Sequence, residues 1–517
     1  MKTDIRKIPV TFLLFFLPAL LFLSSCQRIE IEEGRVFLSP EADIHEIIKA
    51  AASVTPSDRQ IAWQELEFTA FIHFGPNTFT GRQWGTGQED PAVFAPTELD
   101  TDQWVRVCRD AGMKLIIITA KHHDGFCLWP SQYTEYSVKN SSWREGKGDL
   151  IAELADSCRK YSLKLGIYLS PWDRHEKTYG DSPAYNRFFI NQLKELLTNY
   201  GEITEVWFDG ACGEGPNGKR QVYDWEAYYR VVRKLQPDAV IAVCGPDVRW
   251  CGNEAGKTRP SEWSVIPMMP DKIRREDADP AFARMQEDGH LEDLGSRKKL
   301  KNARVLAWYP AEVNTSIRPS WFYDLREDNK VKSLRELLNI YFSSVGGNSV
   351  FLLNIPPDTR GLIHENDACR LQEIGRFLRV TFDEDLAERA IVSVAETKDN
   401  NPLYSAENLI DGNTASYWMP DENTESAVIA LNLKKRKKFN TIVLQEYIPK
   451  GQRIESFQVD FWDGFEWVEL ARSTTVGYKR ILRFEQVSAQ KLRIIINKSR
   501  LCPTLSGIGI YLGPELR

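Results

Sequence analysis

The chain has 517 residues, enough for two or more domains with separate cores, and an ordinary globular composition of 42% hydrophobic and 27% charged residues. A net charge of −6 gives no electrostatic case for nucleic acid or an anionic membrane surface as partner. The excess is in aromatics, with 15 Trp and 18 Tyr, which suit ligands having both apolar and hydroxylated faces but also fill cores.

The first residues read as a targeting segment. Lys2, Arg6 and Lys7 precede an apolar run over residues 10–23 that Pro18 breaks. That run is shorter than the ~20 residues a spanning helix needs. It ends in Leu23-Ser24-Ser25-Cys26, which resembles a bacterial lipoprotein signal. The resemblance implies cleavage before Cys26, a lipid on its sulfur, and an exported body in the periplasm or at the outer membrane. The plainer alternative is a secretory signal with an incidental cysteine. The other eight cysteines show no CxxC pair and no metal-ligand spacing, and they read as small buried residues. A Cys244–Cys251 disulfide is compatible with export.

From about residue 60 to 380, short apolar runs alternate with amphipathic stretches. Strands are predicted at 68–75, 114–122, 164–171, 205–211, 239–246, 263–267, 304–310 and 349–357. Helices are predicted at 101–112, 150–161, 185–200, 225–235 and 331–342. The sixth strand and its helix show the faintest pattern. Apolar strands alternating with helices mean a parallel sheet covered on both faces, and eight of them fit an α/β fold of the (β/α)8 TIM-like barrel type. After about residue 385 the period changes to two, with strands at 427–433, 441–447, 456–464, 480–485 and 491–497 and no convincing helix. This predicts an all-β sandwich. The division is thus a signal over 1–26, a barrel over 27–385 and a β domain over 386–517.

In such a barrel the site lies at the C-terminal ends of the strands. Those ends carry His73, with Trp84 in the following loop, then His122 and His123, Tyr168 and Trp172, Trp207 and Asp209, and a loop with Arg249, Trp250, Asn253 and Glu254. The chain has seven His, and three sit here. One alone reads as a hydrogen-bonded structural residue; three beside Tyr, Trp and a carboxylate do not. Three His and an Asp could hold a metal. However, adjacent His on an extended strand face opposite ways, so His122 and His123 share no ion unless the loop kinks, and no HxH or HExxH occurs.

Glycoside hydrolysis is the other chemistry, and it needs two carboxyl groups about the scissile bond. Asp209 ends a run of large apolar residues, and a charge there is costly unless it is paired or used. It suits the nucleophile, with Gly210 leaving room for a ligand. Glu254, in a loop with partly apolar neighbours, suits the acid. Glu262 competes, but it opens the next predicted strand and so falls at the wrong end of the barrel. Asp124, Asp173 and Asp247 read as loop hydrogen-bonders or caps.

The segments FIHFGPNTFTGRQWGTG, ITAKHHDGFCLWPS, GIYLSPWDRH, VWFDGA, WCGNEAG and LLNIPPDTRG together resemble glycoside hydrolase family 29, the retaining α-L-fucosidases. The resemblance implies Asp209 as nucleophile, Glu254 as acid/base, and fucose contacts from His73, Trp84, His122, His123, Tyr168 and Trp207. It also implies fucosylated oligosaccharides or glycoconjugates as substrates and no required cofactor. Gln83 stands where the family often has Glu; it can hydrogen-bond a sugar hydroxyl but gives up a charge-assisted bond. The GNE and FGPNTFT segments are closer to the branch selective for α-1,3/1,4-linked fucose on Lewis-type glycans than to the broad-specificity branch. The C-terminal region resembles a discoidin-like jelly roll of carbohydrate-binding module family 32. That implies either a sugar-binding appendage, with contacts from Trp418, Arg453 or Trp462, or a cap packed on the barrel; a structural calcium there stays open. Two other functions stay open as well: an exo-glycosidase for a fucose-like sugar such as L-galactose, and a glycan-binding lipoprotein without chemistry.

Overall fold

The computed structural model describes residues 30–32, 34–268 and 293–515. The predicted signal segment, with Cys26, lies outside the described residues.

Eight parallel strands form a nearly closed barrel. In order they are Phe68–Ile72, Leu115–Lys121, Lys164–Leu169, Glu205–Phe208, Val240–Val243, Arg249–Trp250, Ala311–Ser316 and Ser349–Asn354, each beside its predecessor, with the eighth beside the first. The fifth and sixth meet only through a parallel bridge between Ala242 and Val248. The turn joining them is tight, and Val243 takes φ 64° there. A β-branched residue in the left-handed region is strained.

The helices Thr101–Asp110, Leu150–Tyr161, Ser182–Asn199, Trp225–Leu235, Leu334–Ser344 and Glu365–Thr381 cover the outside. Their N-caps follow the sequence: Asp100, Asp149 and Asp224 each accept a backbone N–H of the first turn, and Ser333 with Glu336 closes a capping box. Strand alternation then sorts the side chains. Phe208 packs outward on Phe189, Trp225 and Tyr228, while Trp207 points into the barrel mouth.

Two predicted barrel strands are corrected. Residues 263–267 and 304–310 do not enter the barrel. Val265–Met268 pairs antiparallel with Val305–Trp308, which pairs on its other side with Arg35–Phe37, in a separate four-stranded sheet. That sheet packs on the helix Ile44–Ala51 over its own apolar core. The true sixth strand has two residues. The seventh, AEVNTS, turns Glu312 and Asn314 into the barrel and so carries an inverted pattern. Apolar run length was the signal used, and it favoured the wrong segments.

The C-terminal region is an antiparallel all-β domain. Two pairs of predicted strands merge: Ala427–Glu446 and Arg480–Ser499 are continuous, 20-residue strands with register shifts along their pairing. Its core gathers Trp418, Phe439, Phe457, Ile494 and Ile508. The domain packs on the N-terminal ends of the barrel strands, opposite the mouth. Ile481 donates to the Gly346 carbonyl, and Lys479 pairs with Glu67 just before the first strand. Trp418 is 1% exposed and belongs to the core, and Arg453 is spent on the Lys450 and Cys502 carbonyls; neither is available to a sugar. Trp462 is half-buried against Trp467. Cys244 and Cys251 are free thiols, which corrects the disulfide expectation.

Candidate active site

The barrel mouth holds a cavity of about 280 Å³, at the small end for a ligand pocket. The nine residues given a role from the sequence all line it: His73, Gln83, Trp84, His122, His123, Tyr168, Trp207, Asp209 and Glu254; of the other strand-end residues Trp250 lines it and Trp172, Arg249 and Asn253 do not. Phe71, Ala211, Trp250, Asn314 and Trp321 complete the wall.

Asp209 follows the fourth strand. Its Oδ2 accepts the Tyr168 hydroxyl at 3.0 Å, and its Oδ1 accepts the Ala211 N–H at 2.7 Å. His123 Nε2 stands 3.8 Å from Oδ2. The carboxylate is thus fixed by two donors yet keeps 20% of its side chain open to the cavity. Burial, reinforced by the neighbouring Asp209 charge, pushes the Tyr168 phenol well above its ordinary range, so it stays a donor.

The two His with defined partners are oriented from behind. Asn354 donates its amide to Ser316 and to the Trp321 carbonyl, which leaves its Oδ1 to accept from His73 Nδ1 at 2.8 Å. Ser170 donates to the Trp172 carbonyl, so it accepts from His123 Nδ1 at 2.8 Å. Read from these networks, both rings carry their proton on Nδ1 and offer a bare Nε2. Burial is the main cause of their depressed basicity; His73 is pushed down to about 3, with His123 repelling it and Asn354 opposing the shift. His122 is depressed as well, by burial and then by its two neighbours. Neutral imidazoles at a cavity wall are acceptors for hydroxyl groups.

One sequence expectation about these rings is corrected. His122 and His123 do not face apart: the chain leaves the strand after Lys121, and the two rings lie 4.2 Å apart, centroid to centroid, on one cavity. Among the described residues no group of three or more His, Cys, Asp and Glu is placed to hold a metal.

Glu254 sits at the rim, exposed, with Oε2 accepting the Trp321 indole N–H at 3.0 Å. The partly apolar setting expected for it is therefore a single indole edge. Gln83 uses its Oε1 to accept the backbone N–H groups of Trp321 at 2.8 Å and Phe322 at 3.2 Å, clamping the loop that carries that indole. Trp84 stands 57% exposed, edge-on to His123 and Trp172. Glu262 is buried between Arg249 and Arg259 as an ion-pair partner. Asp124 caps a turn and holds Asn77, Asp173 pairs with Lys121, and Asp247 ties the Ile241 N–H to Arg233.

Sequence reading missed Phe71, Asn314 and Trp321. Phe71 looked like ordinary strand core, Asn314 lay in an unrecognised strand, and Trp321 lies in the loop after it. The signal for Trp321 was present: a Trp shortly beyond a strand end, like Trp84.

A carboxylate fixed at the end of a fourth barrel strand, a second at the rim, and a pocket of single-sugar size are the equipment of a glycoside hydrolase. Comparison with known proteins narrows the class. Residues 88–382 match the family model for alpha-L-fucosidase, and residues 391–506 match the F5/8 type C domain. Alpha-L-fucosidase 1 of Arabidopsis thaliana is 42% identical over 88% of this chain and 87% of its own. A Bacteroides ovatus crystal structure is 48% identical, with a TM-score of 0.83, over 94% of this chain and 78% of that one. The Ruminococcus gnavus family 29 fucosidase in complex with fucose is 32% identical, with a TM-score of 0.78, over 90% of this chain and 96% of its own. The chain belongs to the α-L-fucosidase family, glycoside hydrolase family 29.

Proposed function

We propose that the protein is a retaining exo-α-L-fucosidase, with Asp209 as nucleophile and Glu254 as acid/base, that removes α-1,3/1,4-linked fucose from branched glycans. The observation that carries the reading is Asp209, held by Tyr168 and Ala211 at the wall of a one-sugar cavity with Glu254 on its rim. In the first step an Asp209 oxygen attacks the anomeric carbon. The bond to the aglycone oxygen breaks, and the Glu254 carboxyl gives that oxygen its proton. In the second, Glu254 takes a proton from water, whose oxygen displaces Asp209 and restores the anomeric configuration. The bare Nε2 atoms of His73 and His123 accept sugar hydroxyls, and the aromatic wall suits the sugar's apolar face.

The position of Glu254 fits exo action. The cavity takes one residue, so the aglycone leaves past the rim, where the acid stands. The linkage preference rests on the GNE and FGPNTFT segments. Parallel assays on Lewis trisaccharides, α-1,2-linked H-type glycans and an aryl fucoside test it; equal rates on all three overturn the preference. An anomer-resolved NMR time course tests retention, and initial release of β-fucose overturns it.

Export as a lipoprotein belongs to the same proposal and rests on Lys2, Arg6, Lys7, the apolar run and Cys26. Cys26→Ser tests it: fatty-acid labelling should disappear, and labelling that persists refutes the anchor.

A further inference from the structure

Beneath the cavity the barrel contains a pair of carboxyl groups to which the reaction assigns no role. Glu205 opens the fourth strand and Glu312 is the second residue of the seventh. Both are 0% exposed. Glu205 Oε2 accepts the Trp63 indole N–H at 2.8 Å, and Glu312 Oε1 accepts the Trp207 indole N–H, also at 2.8 Å. The remaining oxygens, Glu205 Oε1 and Glu312 Oε2, are buried without a donor from any other group, and the two carboxyls interact directly with each other. Two ionised carboxylates so placed would repel, with nothing to satisfy their free oxygens; a proton between them satisfies both. The register neighbour of Glu205 on the third strand is Gly166. A Cβ at Gly166 would come within 2.9 Å of Ile117 and 3.4 Å of the Glu205 Cβ.

We propose that Glu205 and Glu312 act as one unit, two carboxyls sharing a single proton, that positions Trp207 and, through its stacking partner Tyr168, the carboxylate of Asp209. The chain of contacts is continuous. The Trp207 ring stacks on Tyr168 at 5.3 Å and 27°, and the Tyr168 hydroxyl donates to Asp209. Glu205 carries the proton and donates it to Glu312, whose carboxylate then accepts both Glu205 and the Trp207 indole. Burial raises both groups, so the pair keeps a proton that isolated carboxyls would release. A charge-assisted bond to the indole is about twice as strong as a neutral one. Glu205 and Glu312 are therefore positioning residues, and Glu205 acts on Trp207 without touching it. This inference rests on the reading of Asp209 as nucleophile.

The test uses the full chain with ¹⁵N-labelled tryptophan, the Trp207 indole signal being identified by its loss in Trp207→Phe. Glu205→Leu removes the shared proton. It should shift the Trp207 indole resonance and lower kcat/KM on the order of 10–100-fold through misplacement. Glu205→Gln supplies an amide donor in place of the acid and should restore both. An unmoved resonance with unchanged kcat/KM in Glu205→Leu overturns the proposal, as does a Gln variant no better than Leu. If the Leu variant fails to fold, infrared difference spectroscopy of the wild type against Glu205→Gln decides. A protonated-carboxyl carbonyl band lost in the variant supports the shared proton, and its absence refutes it. Asp209→Gly with added azide tests the nucleophile separately; failure of azide to restore turnover overturns that assignment while the resonance and the band still report on the pair.

Discussion

The Tyr168 hydroxyl donates to the very oxygen of Asp209, Oδ2, that His123 Nε2 approaches from the other side, at 3.0 Å and 3.8 Å respectively. Oδ1 is held by a backbone N–H from its own loop, so both oxygens are aimed before a substrate arrives. This is preorganisation: the orientation is set by the third and fourth strands rather than by the ligand.

Tyr168→Phe isolates the hydroxyl. The ring keeps its stacking on Trp207 and His122, while Asp209 loses a charge-assisted bond. Such a bond is worth about 1.5–3 kcal/mol. The expected result is a fall in kcat/KM of roughly 10–100-fold, carried mainly by kcat, with the thermal midpoint little changed. Steady-state kinetics on an aryl fucoside measure it; a rise in KM alone would place the hydroxyl in substrate binding instead.

Trp321→Phe does the same for Glu254, the proposed acid. The ring keeps its contacts with His73 and Phe71, but Glu254 loses the indole donor at the rim. An acid matters most when the leaving group is poor. The variant should therefore lose more activity on an oligosaccharide than on an aryl fucoside with an acidic phenol. Equal losses on the two substrates would mean that Trp321 serves binding rather than the orientation of Glu254.

How much of this was legible in the sequence differs by level. Asp209, His73 and Tyr168 were readable because a polar residue ending an apolar strand has few uses besides a site at the barrel mouth. Strands six and seven were not: the sixth has only two residues, and the inward face of the seventh carries Glu312 and Asn314, whose partners, Trp207 and Trp250, come from other strands. Periodicity reports burial, and here the buried face is polar. Glu205 was hidden for the same reason: a carboxylate opening an apolar run carries no sign of burial. Its partner Glu312 lies more than 100 residues away, at |i−j| = 107 by simple subtraction of positions, and no local signal joins them.

Asn348→Ala probes the seam with the β domain. Asn348 takes φ 65°, which Asn tolerates better than most residues. Its Nδ2 donates to the Glu262 carbonyl at 3.1 Å and Ser264 Oγ at 3.2 Å, and its Oδ1 accepts the Tyr478 N–H at 2.7 Å. Alanine leaves buried groups unpaired at about 1–3 kcal/mol each. A fall of several degrees in the thermal midpoint is expected, with kcat/KM of the folded enzyme retained, since the seam lies at the opposite end of the barrel from the cavity. Lost activity at an unchanged midpoint would contradict that separation.

The buried pair also predicts how stability follows pH. Burial raises Glu205 well above the ordinary carboxyl range and brings Glu312 to about 7. The folded pair thus keeps a proton that the unfolded chain has released. Its stabilising effect is complete below the unfolded value near 4.5 and declines as pH rises from there toward the raised folded value of Glu205. His73, held down to about 3, acts with the opposite sign: its contribution is present above 6.5 and is lost as pH falls toward 3. Measured on one protein, the two overlap. In the difference between wild type and Glu205→Gln the histidine contribution cancels, because both proteins carry it, while the amide at 205 does not titrate. The pair's neighbours named here, Trp63 and Trp207, do not titrate either. Urea unfolding of both proteins from pH 5 to 8 should then show the wild type losing stability relative to the variant as pH rises, at a slope of at most about 1.4 kcal/mol per pH unit for one proton. A flat difference would mean that the folded pair holds no extra proton, and an opposite slope would mean that an unrecognised cation faces it.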